Sequence, residues 1–161
     1  MAGAGCAVIL IFSDGEKAMN QSIVVFVISV FFCCASNVAP AARAADIVKE
    51  SGITGGLIVH AGSGDGKKTV AFHRNESFLV HGLDTNPENM EKARGSIHAA
   101  GCHGAVSVDL FDGKHLPYVD NTVNLLVVED GPGIGIPDKE IMRVLAPRGK
   151  AFVGGRWIVK P

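Results

Sequence analysis

LIVHAGSGDG, residues 57–66, decides the fold. Its first half is a short apolar run of the kind that forms a strand covered on both faces. Its second half places Gly62, Gly64 and Gly66 two residues apart, directly after that run. Glycine lacks a Cβ, so such a bend accepts positive φ and lets a ligand touch the backbone. The helix expected to follow would aim free N–H groups at the same point. Taken alone, a G-x-G-x-G turn is equally a tight strand-to-helix connection with nothing bound.

The chain around this stretch alternates strand and helix patterns. A short helix is expected over 45–51, stopped by Gly52, and the first strand over 56–60. Residues 67–74 read as a helix and FLVHGL, 78–83, as a second strand. Then Asn86 can cap, Pro87 fits a first helical position, and Glu88 favours the positive helix end. Met90, Ala93, Ile97 and Ala100 fall on one face of that helix, and Gly101 ends it. Residues 106–110 and 123–128 are the third and fourth strands. Pro137 opens another helix with Ile141, Val144 and Leu145 inward, and a turn at 147–149 leads to a fifth strand at 150–153. Strands alternating with helices make parallel βαβ units. The fold class expected is therefore α/β. It is a Rossmann-like, doubly wound, mostly parallel sheet in three layers with about five strands, further C-terminal strands being missing. Ligands of such sheets sit at the carboxyl ends of the strands, where strand order reverses.

Two acids stand at those ends. Asp84 closes the second strand, 22 positions after Gly62, where a carboxylate can accept from both hydroxyls of a ribose. Asp112 follows the third strand, within reach of an adenine amine. Each alone is also an ordinary loop or capping residue. Glu129 and Asp130 follow the fourth strand.

Residues 45–153 resemble the cofactor-binding half of the class I S-adenosylmethionine-dependent methyltransferases. HAGSGDG (60–66) is similar to their glycine motif, and HGLDTNPENMEKAR (81–94) to their second-strand acid and following helix. DLFDGKHLPYVDNTVNLLVVED (109–130) is similar to the third-strand acid, the L-P-[FY] loop and the fourth strand. EIMRVLAPRGKAFV (140–153) is similar to the turn into strand five. The pattern also resembles a bacterial group in which such a domain precedes a quinoprotein-type β-propeller, which implies an attached partner module. The resemblance implies S-adenosyl-L-methionine as cofactor and methyl transfer to an unknown acceptor. It implies that Gly62, Ser63, Gly64 and Gly66 line the methionine and ribose, and that Asp84, with Thr85 beside it, holds the ribose diol. Asp112 would meet the adenine amine with Phe111 against the ring. Glu129 and Asp130 would face the methyl group or the acceptor, Glu129 being the candidate base. His60 departs from the family, which usually carries Asp or Glu there to support the ligand's ammonium. The alternatives are a degenerate, non-catalytic module of an exported protein and a nicotinamide-dependent oxidoreductase. The spacing disfavours the latter, whose fingerprint is G-x-G-x-x-G.

The 161 residues, 47% hydrophobic and 19% charged with a net charge of −1, suit one folded domain and give no basic footprint for nucleic acid. Residues 1–44 are different material. IVVFVISVFFCC (23–34) is too short for a membrane span and precedes Ala42-Arg43-Ala44, an A-x-A pattern. This reads as a leader cleaved after Ala44, with residues 45–161 as the mature domain, exported or periplasmic; an uncleaved anchor is the other reading. The true start is Met1 or Met19. Without Cys6, Cys33 and Cys34, Cys102 stands alone. Its neighbours His98 and His103 are too few for a metal site, so it reads as a loop thiol and no metal is expected.

Overall fold

The computed structural model describes residues 40–129, 131 and 133–161. Most of the leader reading, and the role expected for Asp130, lie outside the described residues. Helix α1 (Pro40–Ser51) begins earlier than the sequence suggests and crosses the boundary drawn at residue 44. The reason is packing: Ala44, Ile47 and Val48 share one face and are buried together. There follow β1 (Gly56–Ala61), α2 (Lys67–Phe72), β2 (Phe78–Asp84), α3 (Pro87–Ala100), β3 (Val106–Leu110) and β4 (Val123–Val128). The chain then runs through α4 (Asp138–Val144), β5 (Leu145–Val153) and β6 (Arg156–Val159).

The sheet order is β3-β2-β1-β4-β5-β6. The first five strands are parallel, and β6 runs antiparallel to β5. Strand order therefore reverses between β1 and β4, and the carboxyl ends of these two strands flank a crevice. Alternate residues of each strand serve opposite cores. Ile58, Val80, Val106, Val108, Leu125 and Val127 pack under α1, α2 and α3. Val59, Ala61, Leu83, Leu126 and Val128 share the opposite core with Ile141 and Val144 of α4 and Leu145, which the structure places in β5 rather than in the helix. This is the expected three-layer architecture.

Helix α3 starts as its sequence dictates: Asn86 accepts from the Glu88 N–H at 2.8 Å, and Pro87 takes the first helical position. Gly101 ends it at φ 67°. Ala93 and Ile97 are buried, but Ala100 is exposed, so the buried face is narrower than expected. The strand count also needs correction, from five to six. Gly154 and Gly155, at φ 53° and 81°, form a two-residue bend with positive φ at both positions. Such bends match the strand twist and close hairpins, so Trp157 and Ile158 return beside Phe152 and Ala151. Strand β5 begins five residues earlier than expected. Its pairing with β4 jumps from Val123–Leu145 to Leu125–Lys150, so residues 146–149 bulge out.

The β3–β4 connection contains no helix among the described residues and is held by side chains. Arg143 of α4 donates to the carbonyls of Tyr118 (2.8 Å) and Leu116 (3.1 Å) and to Glu140 (2.7 Å). Tyr118 reaches back to His81 Nδ1 at 2.7 Å, and His81 Nε2 meets Asp109 at 3.1 Å. These contacts fix the loop that carries Phe111 and Asp112.

Candidate functional site

The glycine turn after β1 is pinned to β2 from the start. The N–H groups of Gly62 and Ser63 both donate to the Leu83 carbonyl, at 2.8 and 3.1 Å, and Gly66 N–H donates to Ser63 at 2.9 Å. The expected glycines then do different work. A Cβ on Gly64 would meet nothing within 4 Å, and its φ is +54°. Its backbone borders open space. A Cβ on Gly66 would lie 2.6 Å from Ala93 Cα and 2.8 Å from Ala93 Cβ. The absence of a Cβ at Gly66 lets α2 start against α3, and Gly66 is not among the residues that line the cavity beside Asp84. Ser63 is likewise buried, and its Oγ has no hydrogen-bond partner.

Asp84 is buried at 4% exposure, at the carboxyl end of β2. Its Oδ2 accepts from Gly64 N–H at 2.9 Å. Its Oδ1 accepts from Asn86 N–H at 2.9 Å and from the Asn89 amide at 3.2 Å. All three donors are neutral amides. A carboxylate has about four lone-pair positions, and these three donors from the described residues leave one, on Oδ2. The open face at Gly64 lies beside it. Gly62, Gly64, Asp84, Thr85, Asn86, Asn89, Glu129, Gly131 and Ile134 line one cavity of about 220 Å³. This is smaller than the ~300–1,000 Å³ usual for ligand clefts, and Phe111 and Asp112 stand outside its lining.

At the β1–β4 side of the site sit three ionisable groups. His60 is fully buried; its Nδ1 pairs with Thr69 Oγ1 at 2.8 Å, and its Nε2 has no hydrogen-bond partner. That Nε2 lies 3.9 Å from Glu129 Oε1, while Lys68 Nζ holds Glu129 Oε2 at 3.0 Å. The Glu129 carboxyl is held down to about 2, by His60 first and then Lys68, against the burial that opposes them. At 3.9 Å the His60 contact is longer than a hydrogen bond, so Lys68 is the partner that the geometry secures. A carboxylate this acidic is a weak base and a strong partner for cations.

Of the expected site residues, the cavity gathers Gly62, Gly64, Asp84, Thr85 and Glu129. His60 stands behind Glu129. Phe111 packs against the α4-side core and donates its N–H to the Asp84 carbonyl at 3.0 Å. Asp112 turns into its own loop. It accepts from the N–H groups of Lys114 (2.8 Å) and His115 (2.6 Å) and pairs with the His115 ring at 2.6 Å. These contacts, the His115 backbone first, hold its carboxyl well below the usual range. The reading of the sequence missed Asn89, Ile134 and Lys68. Lys68 carried a signal: it falls in the first turn of the helix after the glycine bend, beside strand ends. Cys102 donates to the Ala100 carbonyl at 3.4 Å, away from this site.

Two carboxylates tie acid stability to this end of the molecule. Glu129 and Glu140 both fall from the usual 4.5 to about 2, Glu140 chiefly through Arg143. A lowered folded-state value means stability present above about 4.5 and lost as pH falls toward 2. The urea midpoint should therefore drop between about pH 6 and about pH 3, and a midpoint that stays level would contradict these ion pairs.

No protein-family model matches the chain. Methyltransferase GfsG of Streptomyces halstedii is 30% identical over 104 residues, covering 62% of this chain. The chain spans only 37% of that curated relative. Among solved structures, mmp1179 of Methanococcus maripaludis, named as a candidate S-adenosyl-L-methionine-dependent methyltransferase, superposes with a TM-score of 0.65 at 23% identity. The match covers 89% of this chain and 67% of that one. The cyclase SpnF matches at 25% identity and a TM-score of 0.60, over 69% of this chain and 45% of its own. Strand order, crevice and neighbours agree: this chain has the fold of the class I S-adenosylmethionine-dependent methyltransferases.

Proposed function

We propose that the chain binds S-adenosyl-L-methionine at the Gly62–Gly64 bend and supports methyl transfer to an acceptor. The observation that carries this reading is the junction of Gly64 and Asp84. A buried carboxylate with spare acceptor capacity is bonded to a backbone N–H that borders open space. In the proposed complex Asp84 holds the ribose diol, and the bend lies against the sugar and the amino-acid end. When bound, the cofactor supplies an electrophilic methyl group. The protein then has to align the acceptor and exclude water. Ile134 and Gly131, on the cavity wall, supply the surface that excludes it. Glu129, kept anionic by Lys68, serves as a charge partner for a cation rather than as the base.

Calorimetric titration of the full chain with S-adenosylhomocysteine tests this. A saturable heat with Kd near micromolar, about −8 kcal/mol, is expected. No heat from either that nucleoside or the methylated cofactor would overturn the reading.

The likeness to SpnF favours a second reading, in which this fold serves a reaction other than methylation. Nucleoside binding without methyl transfer to small-molecule acceptor panels would favour it.

A further inference from the structure

We propose that the Lys68–Glu129 ion pair is the recognition element for a zwitterionic α-amino-acid group. The pair opens so that Glu129 takes the ammonium and Lys68 the carboxylate. This rests on the reading that the cavity binds an adenosyl amino acid, and goes beyond it by assigning the charged end. Three observations carry it. Glu129 lines the same cavity as Gly62 and Gly64, and its Cβ lies 3.1 Å from where a Cβ on Gly62 would stand. Its Lys68 partner at 3.0 Å is itself about one-third exposed, as Glu129 is. The ligand's ammonium would take the lysine's place at the same carboxylate, so one charge contact is exchanged for another rather than lost. Third, the buried, unpartnered Nε2 of His60 is aimed at the other oxygen of Glu129, 3.9 Å away.

His60 explains why the carboxylate stays in place when its lysine leaves. In the tautomer in which Thr69 O–H donates to Nδ1, Nε2 carries the ring proton and faces Glu129 Oε1. A shift of about 0.7–1 Å brings the 3.9 Å separation into hydrogen-bond range. The negative charge for the ligand's ammonium then comes from the end of β4, while the end of β1 contributes a histidine behind it. Lys68, freed at the start of α2, has a flexible four-carbon stem that reaches for a carboxylate bound beside it.

The test uses calorimetry on the full chain with three thioether ligands. These are S-adenosylhomocysteine, its decarboxylated amine, and methylthioadenosine, which has neither charge. Wild-type protein should lose about tenfold in affinity with each charge removed, the scale of one desolvated charge contact. Lys68→Met should weaken S-adenosylhomocysteine about tenfold relative to the decarboxylated amine, which loses a competitor for Glu129 and binds no more weakly than to wild type. Glu129→Gln should weaken both and leave methylthioadenosine unchanged. Equal wild-type affinity for all three ligands overturns this proposal alone, even where a variant fails to fold. Variants that weaken all three equally overturn it too. No binding of any ligand by wild-type protein overturns the functional reading as well.

Discussion

Gly66→Ala is expected to destabilise the fold by about 2–5 kcal/mol. One part is steric: the new methyl would sit 2.6 Å from Ala93 Cα, 2.8 Å from Ala93 Cβ and 3.0 Å from the Ala93 carbonyl oxygen. These atoms belong to helix α3, so relief requires moving a helix rather than a side chain, and overpacking of this kind costs about 1–3 kcal/mol. The other part is conformational. Gly66 is the N-cap of α2 at φ +79°, and a side chain in that region costs about 1–2 kcal/mol. The sum is a large share of the roughly 5–15 kcal/mol that holds a typical domain folded. Urea denaturation reads it directly. Gly64→Ala is the matched control: its φ is +54° but no atom lies within 4 Å of the new methyl, so only the conformational cost applies. Equal midpoints for the two variants would show that contact with Ala93 does not limit Gly66.

That contrast also shows what the sequence reveals and what it hides. The fourth strand ends where its apolar run ends, because a strand buried on both faces is apolar nearly throughout and the change in composition marks the boundary; the third, VSVDL at the sheet edge, is legible only from its alternation. Helix α3 is equally legible, since Asn86, Pro87 and Gly101 are local signals read at single positions. The hairpin into β6 was missed: Gly154 and Gly155, between Val153 and Arg156, close it with positive φ at both positions, and the strand that follows is only 4 residues long. What stays hidden depends on distance through space. Gly64 and Gly66 are identical letters two positions apart, and only the arrival of Ala93 separates a glycine beside open space from a packed one. Asp84 and Asp112 are both acids after strands. Asp84 turns inward because Gly64, Asn86 and Asn89 donate to it; Asp112 is captured by His115, three residues on. Glu129 could be placed at the site from the sequence, but its character could not. Lys68 lies 61 positions away, and its charge turns a candidate base into an anchored anion.

Asp84 is therefore where ligand binding and folding can be separated. Asp84→Asn keeps the shape and one acceptor oxygen but replaces the other with an amide donor. At the Oδ2 position that amide faces the Gly64 N–H, now 2.9 Å from an acceptor. Rotating the amide to restore this bond places its NH₂ against Asn86 N–H and the Asn89 amide instead. Either way the diol loses a charged acceptor, whose hydrogen bonds are worth about 1.5–3 kcal/mol. S-adenosylhomocysteine affinity should fall by about ten- to 150-fold. Asp84→Ala should match that loss in binding and add about 1–3 kcal/mol of instability, because the N–H groups it caps are left without a partner at a partly buried site. Titration and urea denaturation on both variants test the two effects independently. If Asp84→Asn binds the nucleoside as tightly as wild type while the alanine variant is merely less stable, the carboxylate only braces the glycine bend, and the ribose lies elsewhere. If both lose affinity by the same factor although the asparagine variant, which keeps one acceptor oxygen, loses less stability than the alanine variant, the buried acid at the end of β2 holds the ligand itself.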